Sequence, residues 1–365
     1  MKMERHPIKG QLPTKDEKVI LEGTFRGKYR VLAAFMICCG LLLAAFAASA
    51  VWLQKGGEWL DGFGSFWKGD GGQPPTSGDD GTGDVTEPVT DADTTDGGPL
   101  QAPVIPEGAT PIVSMDLTAP SLGYGYIHNE TPYKPNVDSL LSLDVSSASV
   151  TEEPLVLILH THTSESYLPT GTAYIEGAIG DAVYSRDEEQ NILAVGKVLA
   201  ETLQQKGITA IHCTVMHDDP TLSGSYTRAE ETVESYLQAY PSIEYVIDLH
   251  RDAVSTSQGE FVRAVTEING EAVAQVMAVI GTDCNGTKHE NWQDNLALAL
   301  QLRAMLNQNG TGLCRPVSLR NASYNQEMAK RALLLEIGTG ANSVEEAKRA
   351  AVLVGEALAE LIYAR

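Results

Sequence analysis

The sequence predicts an α/β domain with a mixed, mostly parallel sheet flanked by helices, preceded by a single N-terminal transmembrane helix. Three observations support this prediction. Residues 31–53 contain no charged side chain. Residues 69–133 hold eleven acidic side chains and no Lys or Arg. From about residue 151, short apolar runs alternate with amphipathic segments of helical period, a pattern typical of a sheet with parallel strands.

The uncharged stretch is long enough to cross the roughly 30 Å hydrocarbon core of a bilayer as a helix. Residues 1–30 carry eight bases against four acids. Because Lys and Arg favour the cytoplasmic side, we expect residues 1–30 in the cytoplasm and everything after 53 outside it. The alternative is a cleaved signal peptide, which the small residues Ala48-Ser49-Ala50 would suit. We predict a retained single-pass anchor in the cell membrane.

The acidic segment that follows predicts a spacer. Residues 69–110 are rich in Gly, Pro, Asp and Thr, and they cannot bury enough apolar surface to order themselves. We therefore expect a disordered acidic stalk over 54–110, an extension over 111–150, and an extracytoplasmic catalytic domain over 151–365. The 365-residue chain has a net charge of −22, which argues against nucleic acid as a partner because phosphate binding needs a basic surface.

The first half of the domain reads as alternating strands and helices. The continuously apolar run 155–159 is typical of a strand buried on both faces. Helical spacing predicts a helix over 189–205, and Gly207 marks its end. Residues 208–215 predict the next strand, 225–240 an amphipathic helix, and 243–249 a further buried strand.

The second half adds a hairpin and two helices. Alternating residues over 261–268 and 272–280 flank Asn269-Gly270, the strongest short hairpin signal. Residues 292–307 have helical period, and 332–337 predict a last buried strand. Ser343 and Glu346 form a capping-box pattern that opens a helix to about Tyr363.

Polar residues follow three of the predicted strands. The first run ends in His160 to Glu165, the second contains Asp248 to Asp252, and the third delivers Glu336. The carboxyl ends of parallel strands gather at one edge of a sheet, where active sites form. Imidazole and carboxylate together suit Zn²⁺, which keeps one open position in catalytic sites. We predict His162, Glu165 and His250 as ligands. His160 could replace His162 or support it, and Glu188 is the alternative carboxylate.

Three further residues have predicted roles at this edge. Glu336 is costly to bury alone, so we predict a general acid/base, with an ion pair to Arg331 or Arg320 as the alternative. Arg251 could bind a substrate carboxylate or an oxyanion, and Asp252 could orient a ligand histidine. Surface salt bridges are the alternative for both.

Four motifs in order carry a family resemblance: NETPYKP (129–135), LILHTHTSESYLP (157–169), IDLHRDA (247–253) and NASYNQEMAKRALLLEIG (321–338). They resemble the stage II sporulation protein P family, membrane-anchored cell-wall hydrolases of endospore-forming bacteria. The family resembles zinc-dependent N-acetylmuramoyl-L-alanine amidases, which implies an amidase-like fold, a His-Glu-His zinc site and a catalytic glutamate. His162 and His250 match the histidines and Glu336 the glutamate. The zinc carboxylate is either Glu165 or Glu188.

The resemblance also implies a substrate and partners. The substrate would be peptidoglycan, cut at the amide between N-acetylmuramic acid and L-alanine and also at peptide cross-links. The implied setting is engulfment of the forespore, with stage II sporulation proteins D and M as partners. Tyr167, Tyr324 and Asn325 are candidate substrate-binding residues. Two alternatives remain, namely a zinc peptidase acting on stem peptides and a non-catalytic wall-binding module at the septum.

Overall fold

The computed structural model describes residues 103–118, 125–147 and 149–364. The described residues from Gly108 onward form one unit built on two sheets. The strands are β1 (Thr110–Met115), β2 (Ile127–Asn129), β3 (Val156–Leu159), β4 (Tyr174–Ile175), β5 (Ala210–His212), β6 (Tyr245–Asp252), β7 (Phe261–Ile268), β8 (Glu271–Ala274), β9 (Val276–Gly281), β10 (Val317–Arg320) and β11 (Arg331–Thr339).

Helices cover both faces of the larger sheet. They are α1 (Val137–Leu141), α2 (Ile179–Ala182), α3 (Ile192–Gln205), α4 (Ser225–Ala239), α5 (Trp292–Leu306) and α6 (Val344–Tyr363). Short 3₁₀ turns occupy Asp283–Asn285, Gln308–Gly310 and Gln326–Met328.

The larger sheet has the order β2-β10-β9-β11-β6-β3-β5. Of the strand pairs in this sheet, only β9 with β11 is antiparallel, and the other five are parallel. The predicted mixed, mostly parallel sheet flanked by helices is therefore confirmed for the described part of the chain. The strands β11, β6, β3 and β5 run in the same direction side by side, so their carboxyl ends share one edge.

The apolar run of β3 shows why this sheet is buried on both faces. Val156 and Ile158 pack into the cluster formed with α3, α5 and α6, whereas Leu157 and Leu159 pack on the opposite face against α4. Side chains alternate along a strand, so an uninterrupted apolar run supplies both clusters. All four residues of β3 are buried.

The predicted hairpin forms, but its second strand is shorter than predicted. Asn269 and Gly270 have positive φ angles of 54° and 80°, as a tight primed turn requires. Strand β8 ends at Ala274, and after Gln275 the chain enters the larger sheet as β9. The hairpin therefore belongs to a second, four-stranded sheet of order β4-β1-β7-β8, because Gln275 redirects the chain between the sheets.

The extension predicted over 111–150 contributes to both sheets. Strand β1 pairs in parallel with β7 and antiparallel with β4, and β2 forms one edge of the larger sheet. Gln275, fully buried, accepts a hydrogen bond from Leu117 N at 2.7 Å and donates one to Asp116 Oδ1 at 2.6 Å. The described parts of the extension are thus built into the domain.

Helix ends follow their capping residues. Ser343 caps α6, and its side chain and that of Glu346 exchange the two hydrogen bonds of the predicted capping box. Helix α3 begins at Ile192 behind the cap Asn191, three residues later than predicted. Glu188 consequently lies in an exposed turn before the helix.

The predicted cytoplasmic segment 1–30, membrane helix 31–53 and most of the stalk, residues 54–102, lie outside the described residues. In the part of the chain that the structure describes, no helix is both long enough and apolar enough to span a bilayer.

Candidate active site

Three neighbouring strands bring the predicted chemistry to one edge. Strand β6 lies between β3 and β11, and His250 of β6 is in register with Glu336 of β11. Strand β3 ends at Leu159, and a turn follows in which Glu165 N donates to His162 O at 3.2 Å. Because all three strands run in the same direction, four residues from three sequence motifs converge, namely His162, Glu165, His250 and Glu336.

His162, Glu165 and His250 lie together. The rings of His162 and His250 meet edge to face with centroids 5.3 Å apart. Glu165 Oε2 lies 3.4 Å from His250 Nδ1. Glu165 and His250 are buried, and His162 is half-buried. The turn that carries the H-x-x-E motif therefore brings both His162 and Glu165 to His250. The prediction of a three-residue ligand set assumed this geometry.

Asp248 is a site residue that the sequence analysis did not single out. Its Oδ1 lies 3.0 Å from His250 Nε2, and its carboxylate accepts hydrogen bonds from Thr161 N at 2.8 Å and Thr161 Oγ1 at 2.6 Å. Strand alternation was the available signal, since residues 248 and 250 of one strand point to the same face. Asp248, rather than the predicted Asp252, is the carboxylate beside the ligand histidine.

The charges of this group depend on one another. Burial opposes the protonated form of His250, but Asp248 and Glu165 outweigh it and raise its pKa well above the usual value. Burial likewise opposes ionisation of Asp248, yet His250 and Thr161 lower its pKa to about 2. Burial also opposes ionisation of Glu165, while Arg251 and His250 lower its pKa. Without a metal ion, the two carboxylates thus favour the protonated form of His250.

Glu336 differs from these carboxylates. It lies on β11 beside a bulge, where the register shifts before Thr339 and Gly338 adopts a φ of 69°. Its Oε2 is buried without a hydrogen-bond partner in the described chain. Burial and the nearby Asp252 raise its pKa to about 8. The alternative ion pairs are not formed, because Arg331 contacts Glu244 and Arg320 contacts Glu130.

Asp252 forms an ion pair at the end of β6. Its Oδ2 accepts from Arg315 Nη1 at 2.7 Å, and the Arg315 side chain is buried. The prediction that Asp252 orients a ligand histidine is therefore wrong, since its carboxylate faces Arg315. Arg315 is a second residue that the sequence analysis missed, and its isolated position gave no signal.

Arg251 holds the loop that carries Glu165. Its guanidinium is buried and donates to Ser166 O at 3.2 Å and Val183 O at 2.7 Å. Its backbone N–H donates to Glu165 Oε2 at 3.1 Å, and its side chain covers the ring of Tyr184. The predicted direct contact with substrate conflicts with this placement, because the guanidinium is occupied by backbone carbonyls. Arg251 positions Glu165.

His160 faces away from His162. Strand β3 ends before it, so the alternation that would have placed both rings on one side does not continue. His160 is fully buried, with Nδ1 2.9 Å from Leu249 O and Nε2 2.9 Å from His212 Nε2. Burial and the neighbouring His212 lower its pKa well below the usual value. The predicted exchange of His160 for His162 is excluded by this pairing.

The remaining candidate site residues differ in how far they are buried. Tyr167 is buried and its hydroxyl donates to Ile337 O at 2.9 Å, so the predicted substrate contact is not open to it. Tyr324 and Asn325 are half-buried and lie beside Tyr226, whose carbonyl accepts from Asn325 Nδ2 at 2.9 Å. Glu188 is exposed and outside the cluster.

The donor set suits a zinc ion in composition, with two imidazoles and one carboxylate in contact. In residues 103–118, 125–147 and 149–364, no group of three or more His, Cys, Asp or Glu side chains is placed so that it could hold a metal ion. The ring nitrogens of His250 instead lie close to two carboxylates, with Nδ1 3.4 Å from Glu165 Oε2 and Nε2 3.0 Å from Asp248 Oδ1.

Solved structures of amidases match part of this chain at low similarity. For the N-acetylmuramoyl-L-alanine amidase AmiC2 of Nostoc punctiforme, the match has 16% identity and a TM-score of 0.32 and covers 59% of this chain and 97% of that one. For the N-acetylmuramoyl-L-alanine amidase of Clostridium difficile 630, it has 15% identity and a TM-score of 0.35 and covers 58% and 96%.

Sequence comparison gives the family. Stage II sporulation protein P of Bacillus subtilis strain 168 is 28% identical over 223 residues, which are 58% of this chain and 52% of that protein. The chain thus spans about half the length of this curated relative. Residues 125–359, more than half of the chain, match the model of the stage II sporulation protein P family, and the chain therefore belongs to that family.

Proposed function

We propose that this chain is a zinc-dependent peptidoglycan hydrolase that cleaves the amide bond between N-acetylmuramic acid and L-alanine. One observation carries the proposal: two histidines and a carboxylate meet at the ends of β3 and β6, and a glutamate with a raised pKa lies next to them on β11. This set suits hydrolysis of an amide, which needs a polarised carbonyl, an activated water and a proton for the leaving nitrogen.

His162, Glu165 and His250 are the residues that would hold the zinc ion. When bound, zinc supplies Lewis acidity that polarises a carbonyl and lowers the pKa of water. Arg251 keeps Glu165 in place through its backbone N–H, and Asp248 Oδ1 lies 3.0 Å from Nε2 of His250. Such supporting contacts orient ligand side chains and tune their basicity.

Glu336 is the general acid/base in this proposal. Its pKa of about 8 lies close to neutral pH, so the carboxyl group can both accept and return a proton in one cycle. It would take a proton from the attacking water and deliver it to the amine nitrogen as the C–N bond breaks. Its unpartnered Oε2 leaves it free for both steps.

We also propose the setting of this activity, supported by family membership and by the sequence. The chain would be held at the cell membrane by residues 31–53, with residues 1–30 in the cytoplasm and the catalytic domain outside. It would act in forespore engulfment, with stage II sporulation proteins D and M as partners. Cleavage of peptide cross-links would be a further activity of the same site.

The test is digestion of purified peptidoglycan by the full-length chain with added zinc, followed by mass spectrometry of the products. We expect fragments with free N-terminal L-alanine, lost on chelation and restored by zinc. Shortened stem peptides without new L-alanine ends would identify a peptidase instead. Binding to the wall without release of fragments would identify a binding module.

Two variants connect the activity to the site. Glu336→Gln keeps the size of the side chain but cannot transfer a proton, so we expect activity to fall by roughly 100-fold or more. His250→Ala should abolish both activity and zinc binding. Glu188→Gln is the matched control for the competing carboxylate, and it should retain full activity because Glu188 is exposed.

A further inference from the structure

The first turn of α4 reaches the site, although neither the sequence analysis nor the proposed mechanism uses it. Gly224, with a φ of 78°, precedes the helix, and Ser225 Oγ lies 3.3 Å from His162 Nδ1. The loop before it is held by Arg228, whose guanidinium donates to the carbonyls of His217, Thr221 and Ser223. The start of α4 is therefore fixed against the metal-ligand candidates.

Tyr226 is the next residue of this turn, and its ring packs against the rings of His162 and Tyr324. Its ring meets that of His162 at 90° with centroids 5.7 Å apart, and it lies 6.0 Å from the ring of Tyr324. Its carbonyl accepts the amide of Asn325. Tyr324 and Asn325 both have positive φ, at 56° and 58°, so an uncommon backbone conformation is maintained where the chain contacts Tyr226.

The hydroxyl of Tyr226 has no hydrogen-bond partner among the described residues, although the residue is half-buried. Other buried tyrosines of this chain do use theirs, since Tyr167 donates to Ile337 O and Tyr245 donates to Val145 O at 2.6 Å. A phenol held in a site without an acceptor is available to a ligand. A tyrosine phenol has a usual pKa of about 10, so this hydroxyl is protonated at neutral pH and can donate a hydrogen bond.

We infer that Tyr226 is a catalytic hydrogen-bond donor to the carbonyl oxygen of the scissile amide. This inference rests on the proposed hydrolase function. As water adds to the carbonyl carbon, the oxygen gains negative charge, and the phenol O–H would donate to it without losing its proton. The electron pair on this oxygen then re-forms the C=O bond while the C–N bond breaks, and the leaving nitrogen keeps the C–N bonding electrons and takes its proton from Glu336.

Such a donor acts mainly where charge develops, so its effect falls on kcat rather than KM. Loss of one oxyanion donor lowers kcat by roughly 100-fold to 1000-fold in well-packed sites. Because Tyr226 is only half-buried, we expect the lower end of this range for Tyr226→Phe, with KM changed by less than about threefold.

The experiment measures kcat and KM of the full-length, zinc-loaded chain on a soluble muramoyl peptide, for the wild type, Tyr226→Phe and Tyr240→Phe. Tyr240 follows the opposite end of α4, so it controls for removal of a phenol from the same helix. Thermal unfolding and zinc content are measured for each variant. We expect a loss of roughly 100-fold in kcat, and of at least about tenfold, for Tyr226→Phe alone, with zinc content and stability unchanged.

A smaller loss in kcat, or a loss expressed in KM, would overturn the role of Tyr226 and leave the hydrolase function intact. A wild-type chain that releases no L-alanine end would remove the hydrolase function, and this inference with it. An equal loss in Tyr240→Phe would assign the effect to the helix and not to the phenol in the site.

Discussion

Gly196 lies in the middle of α3 because two buried imidazoles occupy the space beside it. A Cβ added at this position would lie 2.6 Å from both His160 Nε2 and His212 Nε2. Neither ring can retreat easily, because the two nitrogens are 2.9 Å apart and His160 Nδ1 is already engaged by Leu249 O. The perturbation that tests this packing is Gly196→Ala.

The magnitude follows from three contributions. Forcing a methyl group into a filled core costs about 1 to 3 kcal/mol. Separating the two imidazoles loses a buried hydrogen bond worth about 1 kcal/mol. Alanine regains about 1 kcal/mol as the better helix former. The net loss in the free energy of unfolding is therefore about 2 kcal/mol, which lowers Tm by about 4 to 8 °C in a domain of this size.

Thermal unfolding of the purified chain measures this change, with Gly180→Ala as the matched control. Gly180 lies in helix α2, and a Cβ there would meet nothing within 4 Å. The Tm of the Gly180→Ala variant should therefore equal that of the wild type or lie slightly above it. If Gly196→Ala unfolds within 1 °C of the wild type, the paired histidines are not rigid and the reasoning about His160 fails.

Three further predictions concern the extension, the support of His250 and the buried histidines. Leu117→Ala should lower the free energy of unfolding by about 2 to 4 kcal/mol, because Leu117 is only 5% exposed. Met115 is 36% exposed, so Met115→Ala should change this free energy by less than about 0.5 kcal/mol. Equal effects of the two variants in chemical denaturation would show that the extension does not pack on the domain. Asp248→Asn should weaken zinc binding by about 10-fold to 100-fold, measured by competition with a chelator, because the amide places no negative charge beside His250 and has one acceptor oxygen where the carboxylate accepts from Thr161 N and Thr161 Oγ1 through two; unchanged affinity would show that His250 needs no such support. Burial and Lys197 lower the pKa of His212 to about 4, below its unfolded value of about 6.5. The stability that comes from the neutral imidazole is therefore complete above pH 6.5 and is lost as the pH falls toward 4, so the urea midpoint should decline over this window. An equally steep decline in a His212→Asn variant would assign the effect to other groups.

Much of the fold follows from local pattern. The strands at 155–159, 243–249 and 332–337 are found with small shifts in their ends, because uninterrupted apolar runs must be buried on both faces. The capping box at Ser343 and the turn at Asn269-Gly270 are likewise local, since each depends on neighbouring residues alone. The role of Gln275 in ending one sheet and starting the other depends on Asp116 and Leu117, which are far away in the chain.

The site shows the same division. His162, Glu165, His250 and Glu336 could be chosen because each follows or ends an apolar strand, and neighbouring parallel strands bring such residues together. The competing assignments could not be separated. Which of His160 and His162 faces the site depends on where β3 ends. The roles of Arg251 and Asp252 depend on the partners that distant segments bring to them.

The sequence by itself determined the class of the domain, the edge of the sheet that carries the chemistry, and the family, because these depend on apolar period and on short motifs. Tertiary structure alone decided that His160 pairs with His212, that Asp248 supports His250, that Arg251 holds backbone carbonyls, and that Tyr226 faces His162. The physical reason is that a side chain's role depends on partners brought by distant segments, and the number and direction of its hydrogen bonds appear only after those segments have packed.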